Sequence, residues 1–334
     1  MSSMLMYIFY SIKMILLSDM LIIKFSWIQF ISMNTLLFSV FMVFSLGNMF
    51  FIWIMIEINL ISFLMMMYTG KNISINSMIK YFLIQTIGSL FFLFFSLMHS
   101  NILMLEINKI MVVMIMMFKL GIFPFSFWLN DFIEGLEWNN FFIFNIFQKI
   151  IPLWIIYKLD FFYMDLFIFM NSIYMMIMMY NQVSIRKLFM YSSYVNMSWI
   201  FIFSFQNEWL WMIYYMIYIM MMYMLVELMN LYKMNSIYQL KFLNFKMKMY
   251  FMLLMFLMGG LPPFMFMFSK MMSILLFNES FSFIILMIVI MFNMYVYMNL
   301  SVYTMMHYNV LFKINMIKLM KMILFFVGIM LFLM

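Results

Sequence analysis

The 334-residue chain contains no cysteine. That excludes a disulfide framework, thiolate zinc sites and cysteine-ligated iron–sulfur clusters. Only two histidines are present, His99 and His307, leaving almost no capacity to ligate haem or copper. Charge is also scarce: 9% of residues are Asp, Glu, Lys or Arg, against roughly a quarter in a soluble domain, while 69% are apolar. A water-soluble globule is therefore excluded. The net charge of +7 does not indicate nucleic acid, because no soluble segment exists to hold such a ligand. Alanine is absent, Arg186 is the only arginine, and there are 8 Gly and 4 Pro. These depleted residues share GC-rich codons. Membrane insertion alone does not remove alanine, which sits comfortably in membrane helices.

What remains is apolar sequence in long runs. With 55 Met and 46 Phe, the composition is what an AT-rich gene yields when ATA is read as Met, as in animal mitochondrial codes. An AT-rich bacterial gene under the standard code would show fewer Met and more Ile. An organelle-encoded respiratory subunit is the class this composition favours. Apolar stretches of 18 or more residues recur along the chain, each able to cross a hydrocarbon core of ~30 Å. Eleven spans are predicted at 30–46, 48–68, 78–98, 107–121, 139–158, 161–181, 188–205, 209–232, 246–270, 276–304 and 318–334. The stretch at about 4–24 holds Lys13, Asp19 and Lys24 and reads as an amphipathic helix on the membrane surface. No Arg-rich cleavable presequence is visible.

Charge tests the span count. If the N-terminus lies on side A, that side collects thirteen basic residues, among them Lys71, Lys80, Arg186, Lys187, Lys233 and Lys241. Side B collects two, Lys109 and Lys158. Such asymmetry follows the positive-inside rule and places the N-terminus and the basic loops in the compartment of synthesis, the matrix.

Five ionisable residues remain within or at the edge of spans: Glu57, Lys119, Lys149, Glu227 and Lys270. A charge at mid-membrane costs about 2.5–3.5 kcal/mol on insertion scales, so each needs an interior, a partner or a route to water. Glu227 lies six residues before Lys233, and snorkelling explains it. Glu57 sits mid-span, where only a functional or structural partner explains it. Lys119 is followed by Gly121 and Pro124 in FKLGIFPFSFW, and Lys270 is preceded by Gly259, Gly260, Pro262 and Pro263 in MGGLPPFMFMFSK. Proline removes a donor and clashes with the preceding turn, so both segments are expected to be broken helices. A break exposes backbone groups that only buried polar side chains or water can satisfy. Lys149, between Gln148 and Pro152, marks a third polar interruption. The alternative, a plain packing kink, does not account for lysines beside both breaks.

FKLGIFPFSFW, FQKIIP, NQVSIRKLFMYSSYVNMSW and GGLPPF…SK resemble the subunit 2 family of mitochondrial NADH dehydrogenase (complex I), the animal counterpart of the bacterial antiporter-like subunit N. The similarity runs from about residue 26 to the end with the motifs in order. It implies an all-α polytopic membrane protein of about eleven transmembrane helices: two inverted five-helix repeats plus a final helix, with two discontinuous helices. The corresponding divisions are an N-terminal extension or surface helix (1–25), first half-repeat (26–158), second half-repeat (159–304) and a basic loop with the last helix (305–334). The resemblance further implies a proton relay of Glu57, Lys119, Lys149 and Lys270, with helix breaks at Gly121, Pro124, Gly259, Gly260, Pro262 and Pro263. Many relatives carry histidine where this chain has Ser126 and Asn196, so hydration here is expected to rest on Tyr191, Ser192, Ser193 and water. After Trp128 the chain reads Leu129-Asn130-Asp131 where relatives often have Pro-Glu, which leaves the turn geometry open.

The implied function is proton translocation across the mitochondrial inner membrane, driven by NADH oxidation elsewhere in the complex. No cofactor is expected in this chain; flavin, iron–sulfur clusters and quinone belong to other subunits. The expected partners are neighbouring membrane-arm subunits and lipid. Two other classes stay open from sequence: a free-standing cation/proton antiporter, and a proton-silent scaffold whose buried charges serve assembly.

Overall fold

A computed structural model describes residues 27–68, 70, 72–97, 102–159, 164–206, 208–260, 266, 270 and 281–306. The predicted surface helix before residue 26, Pro262, Pro263 and the predicted span at 318–334 lie outside the described residues. The described elements are helical, as a membrane requires of an open chain whose backbone must bond within its own segment. In chain order they are α1 (Trp27–Ser45), α2 (Met49–Met67), α3 (Asn72–Leu97), α4 (Ile102–Leu120), a 3₁₀ turn (Ser126–Trp128), α5 (Leu129–Glu134), α6 (Trp138–Leu159), α7 (Met164–Tyr180), α8 (Ile185–Gln206), α9 (Glu208–Tyr232), a second 3₁₀ turn (Ile237–Phe242), α10 (Phe245–Gly259) and α11 (Phe281–Met305). Among the described residues six helical segments are long and apolar enough to cross a membrane: α1, α2, α3, α6, Trp211–Tyr232 of α9 and Met287–Met305 of α11.

Two elements add to the sequence reading, one inside the predicted span at 246–270 and one after Trp128. α10 stops at Gly259, and Gly260 turns left-handed at φ 78°, bonding back to Phe256 O and Leu257 O. The open turn after Trp128 is a short helix, α5. Its Phe132 stacks on Tyr81 of α3 at 4.9 Å and meets Phe144 of α6 at 4.8 Å. Aromatic packing therefore holds this segment where the local sequence leaves its shape undecided.

Neighbours in sequence are mostly neighbours in space. α1 packs on α2, α2 on α3, α3 on α4, and α6 closes back onto α1 and α4. The later helices follow the same pattern: α7 on α8, α8 on α9, α9 on α10, and α11 closing onto α7 and α10. α6 lies centrally, touching α8 and α9 as well, and is buried almost continuously from Phe141 to Ile156.

Connections assigned to side A by charge meet at one end of the bundle. Lys80 Nζ lies 2.6 Å from Asp131, and Lys187 pairs with Glu134. Lys80 holds the exposed Asp131 carboxyl below the usual carboxylate range, first by hydrogen bonding and then by charge. Arg186 donates to Leu136 O and, at 2.8 Å, to Asn235 Oδ1. Ile185 N and Ile237 N bond across to Asn235 O and Val183 O, both at 3.1 Å. Two side B segments meet likewise, Lys158 Nζ reaching Leu46 O at 3.5 Å.

Candidate functional site

α4 ends at Leu120 because Gly121 adopts φ 76°, a conformation that penalises any side chain. Gly121 N bonds to Met117 O and Phe118 O, and Ile122 N to Met117 O, the pattern of a Schellman cap. The cap leaves the last carbonyls of α4 and the amides of the following loop without helical partners. Buried side chains from other helices take them up. Gln85 Nε2 of α3 donates to Lys119 O at 2.9 Å. The Tyr194 hydroxyl of α8 donates to Leu120 O. Phe123 N donates to Asn171 Oδ1 of α7 at 3.3 Å, while Asn171 Nδ2 donates to Tyr194 O and Ser198 Oγ, both at 3.1 Å. The segment around Pro124 is thus tied to α3, α8 and α7 through Lys119 O, Leu120 O and Phe123 N.

Lys119, one residue before that end, is 5% exposed. Its stem lies against Gly88 of α3, where a Cβ would stand 2.9 Å from Lys119 Cγ. Its Nζ has no hydrogen-bond partner among the described residues. Glu57, half-buried on α2, acts on it through charge. Lys119 borders a cavity of about 30 Å³ shared with Ile56, Asn59, Tyr81, Gln85, Gln148 and Pro152. That exceeds the roughly 10–15 Å³ one water needs. Gln148 Nε2 donates to Asn59 Oδ1 at 2.6 Å and the Tyr81 hydroxyl donates to Gln148 Oε1 at 3.1 Å. Asn59 Nδ2, like Lys119 Nζ, is buried with no hydrogen-bond partner among the described residues. Two such donors border a cavity with room for a water, whose lining also includes the apolar Leu60 and Ile151.

Successive residues of α6 point about 100° apart, so Gln148 faces this cavity while Lys149 faces α8. Lys149 is 1% exposed. Its Nζ donates to Ser193 Oγ at 2.7 Å and lies 4.1 Å from the centre of the Tyr194 ring. Ser193 in turn bonds Asn145 Oδ1 at 3.1 Å. Lys270 is 2% exposed, its Nζ 4.7 Å from the Phe266 ring and 5.9 Å from that of Trp199. Tyr194 and Trp199, which face the two lysines, are separated by about 7.5 Å along α8 at 1.5 Å per residue. α8 therefore lies beside both.

Lys119 and Lys270 do not snorkel. Both are buried, although the sequence places them near helix ends. Of the hydration candidates, Ser193 contacts Lys149, whereas Tyr191 donates to Asn130 and Ser192 to its own Phe189 carbonyl. Ser126 is buried, and Asn196 accepts from the Tyr214 hydroxyl at 3.2 Å. Glu227 is exposed. Pro262 and Pro263 lie outside the described residues. Gln85, Asn171, Tyr194 and Gly88 carry no formal charge at neutral pH, so the cost of a buried charge does not single them out. Amides inside apolar spans, and a glycine within a helix of a glycine-poor chain, are signals of the same kind. Among the described residues no group of three or more His, Cys, Asp or Glu is arranged to hold a metal.

The family model described as "NADH:quinone oxidoreductase/Mrp antiporter, TM" matches residues 95–294, more than half of the chain. NADH-ubiquinone oxidoreductase chain 2 of Anopheles gambiae is 34% identical over 229 residues, covering 64% of this chain and 66% of that relative. The match thus spans just under two thirds of the relative's length. The protein of the same name from Lumbricus terrestris is 27% identical over 293 residues, covering 82% of this chain and 86% of the relative. Among solved structures, a chain of respiratory complex I from Thermus thermophilus with bound aureothin superposes with a TM-score of 0.76 at 13% identity. That superposition covers 84% of this chain and 71% of the other, a likeness of fold.

Proposed function

The chain belongs to the NADH:quinone oxidoreductase/Mrp antiporter transmembrane family, and from that premise we propose that it is a proton-translocating membrane-arm subunit of respiratory NADH:ubiquinone oxidoreductase. The observation that carries the reading is Lys119: a buried amine without a hydrogen-bond partner among the described residues, at the end of α4, bordering a cavity with room for a water. A structural lysine in hydrocarbon is expected to be paired, because an unpaired buried charge is costly. An amine that instead faces a hydratable cavity can exchange a proton with it.

The proposed path starts at the Glu57–Lys119 pair beside the Gln148 cavity, continues to Lys149 on the adjoining face of α6, and runs along α8 to Lys270. Closing or opening the pair raises or lowers the hold of Lys119 on its proton. One charge moved against 100 mV requires about 2.3 kcal/mol, within reach of two pKa units at about 1.36 kcal/mol each. Redox chemistry takes place elsewhere in the complex, and this chain holds no flavin, cluster or quinone. Its partners are other membrane-arm subunits and lipid, in the mitochondrial inner membrane with the Lys80–Arg186–Lys241 end toward the matrix.

The same reading takes residues 26–158 and 159–304 as inverted half-repeats and counts eleven spans, with the last at 318–334. Two observations support the half-repeats. Each half closes its last helix onto its first, and the fourth helix of each ends at a glycine with φ of 76° or 78°. Discontinuous helices in corresponding positions are a general transporter design. The same reading keeps 1–25 as an N-terminal surface helix or extension and 305–334 as a basic loop with the last helix, of which 1–25 and 307–334 lie outside the described residues.

Lys119→Met in the assembled complex tests the function, because it keeps length and apolarity and removes the amine. Assembly with a strong fall in protons moved per NADH oxidised is expected, and Lys119→Arg does not restore it, since guanidinium does not release its proton. Normal pumping by the Met variant would overturn the relay in favour of a scaffold. Loss of assembly by Met that Arg repairs would assign Lys119 to a structural ion pair.

A further inference from the structure

We propose that Tyr194 is a positioning residue that couples the charge on Lys149 to the broken end of α4 beside Lys119. The inference rests on the relay reading above and names a connection within it. Tyr194 is fully buried, and its two ends serve different sites. The face of its ring lies 4.1 Å from Lys149 Nζ, while its hydroxyl holds Leu120 O, the last residue of α4 and the one after Lys119. Its backbone is tied to the same place, because Asn171 bonds both Tyr194 O and Phe123 N. The other polar contact of the Lys149 ammonium is the neighbouring Ser193 of α8. Among the described residues Lys149 makes no hydrogen bond to the 121–125 loop.

An aromatic ring is rigid, so its face and its para-hydroxyl move together. The ring attracts Lys149 only while the amine carries its charge. When the proton leaves, that attraction goes, the ring is freer to tilt, and the hydroxyl slackens on Leu120 O. Protonation of Lys149 thus tightens the end of α4 and deprotonation loosens it. By linkage, any displacement of that end changes the proton affinity of Lys149 in return. The two lysines sense each other without touching.

Hydrogen exchange of the 120–126 segment in the intact, reconstituted complex tests this, together with proton pumping, in Tyr194→Phe, Lys149→Met, Lys149→Arg and the Tyr194→Phe/Lys149→Met double variant. Tyr194→Phe keeps the ring and loses the hydroxyl. It is expected to speed exchange about five- to tenfold, the factor one ordinary hydrogen bond corresponds to. Lys149→Met speeds it by a similar factor, the double variant no more than either single one, and Lys149→Arg restores protection while pumping stays low. Unchanged exchange in Lys149→Met, additive effects in the double variant, or unprotected Lys149→Arg each overturn the coupling. If Tyr194→Phe does not assemble, the Met and Arg variants at Lys149 still decide the matter. Normal pumping in Lys149→Met would instead overturn the relay itself, so the two failures are distinguishable.

Discussion

Adding one methyl group at Gly88 is expected to disable proton transfer without unfolding the protein. A Cβ there would stand 2.9 Å from Lys119 Cγ and 3.0 Å from Lys119 Cε. Carbon pairs rest at about 3.5–4.0 Å, so the lysine stem must retreat by about 0.5–1 Å. Phe118 Cδ1, 3.4 Å from the same point, narrows the directions open to it. Overfilling a packed site costs about 1–3 kcal/mol, partly offset by about 1 kcal/mol from replacing glycine with alanine inside a helix. Stability should therefore change little. The amine, however, moves relative to the Asn59–Gln148 cavity, and a 1 Å misplacement of a reacting group can lower a rate by about 10²-fold. The assay is protons translocated per NADH in vesicles, with thermal stability of the purified complex measured alongside. Two other glycines calibrate it. Gly47→Ala should be silent, since nothing lies within 4 Å of its added carbon. Gly135→Ala should disrupt folding, because its Cβ would meet Ser77 Cβ at 2.5 Å and the Ile73 carbonyl oxygen at 2.9 Å, and backbone cannot swing aside. Wild-type pumping by Gly88→Ala alongside a silent Lys119→Met would leave the relay refuted; wild-type pumping with a dead Lys119→Met would refute the steric argument alone.

Two further outcomes can be measured directly. The Asp131 carboxyl is depressed in the folded state by Lys80, so its contribution is present above the unfolded value of about 3.9 and is lost as pH falls through the lower folded value. Asp131→Asn should thus lower the melting temperature slightly at pH 7 and not at all once pH is below the depressed folded value, with the difference shrinking in high salt because both partners are exposed. A difference that grew in acid would contradict the assignment. Asn171→Leu removes the partner of Phe123 N and leaves buried polar groups unpaired, at about 1–3 kcal/mol for each. A clear loss of thermal stability with faster proteolysis near residue 123 is expected, and unchanged stability would show that the loop needs no clamp.

Local chemistry explains why so much was legible in the residues alone. Long apolar runs must be helices in a bilayer, whatever their neighbours, because no other open chain satisfies its backbone there. Lysines within such runs are costly wherever they point, so Lys119, Lys149 and Lys270 stand out by type alone. Gly121 and Gly260 end their helices through their own backbone freedom, and both do so at positive φ. The side A segments were grouped by counting charge, and their contacts at one end of the bundle follow from that parity. Only the tertiary structure decided what those residues meet. Gln85 lies 34 residues from Lys119, Asn171 lies 48 from Phe123, and Tyr194 lies 74 from Leu120. Hydrogen bonds of that span depend on how helices are rotated and stacked, which no local pattern encodes. Whether a lysine near a helix end snorkels or is buried is decided the same way. At Lys119 a glycine on α3 made room for the stem, and the surrounding helices closed over the amine.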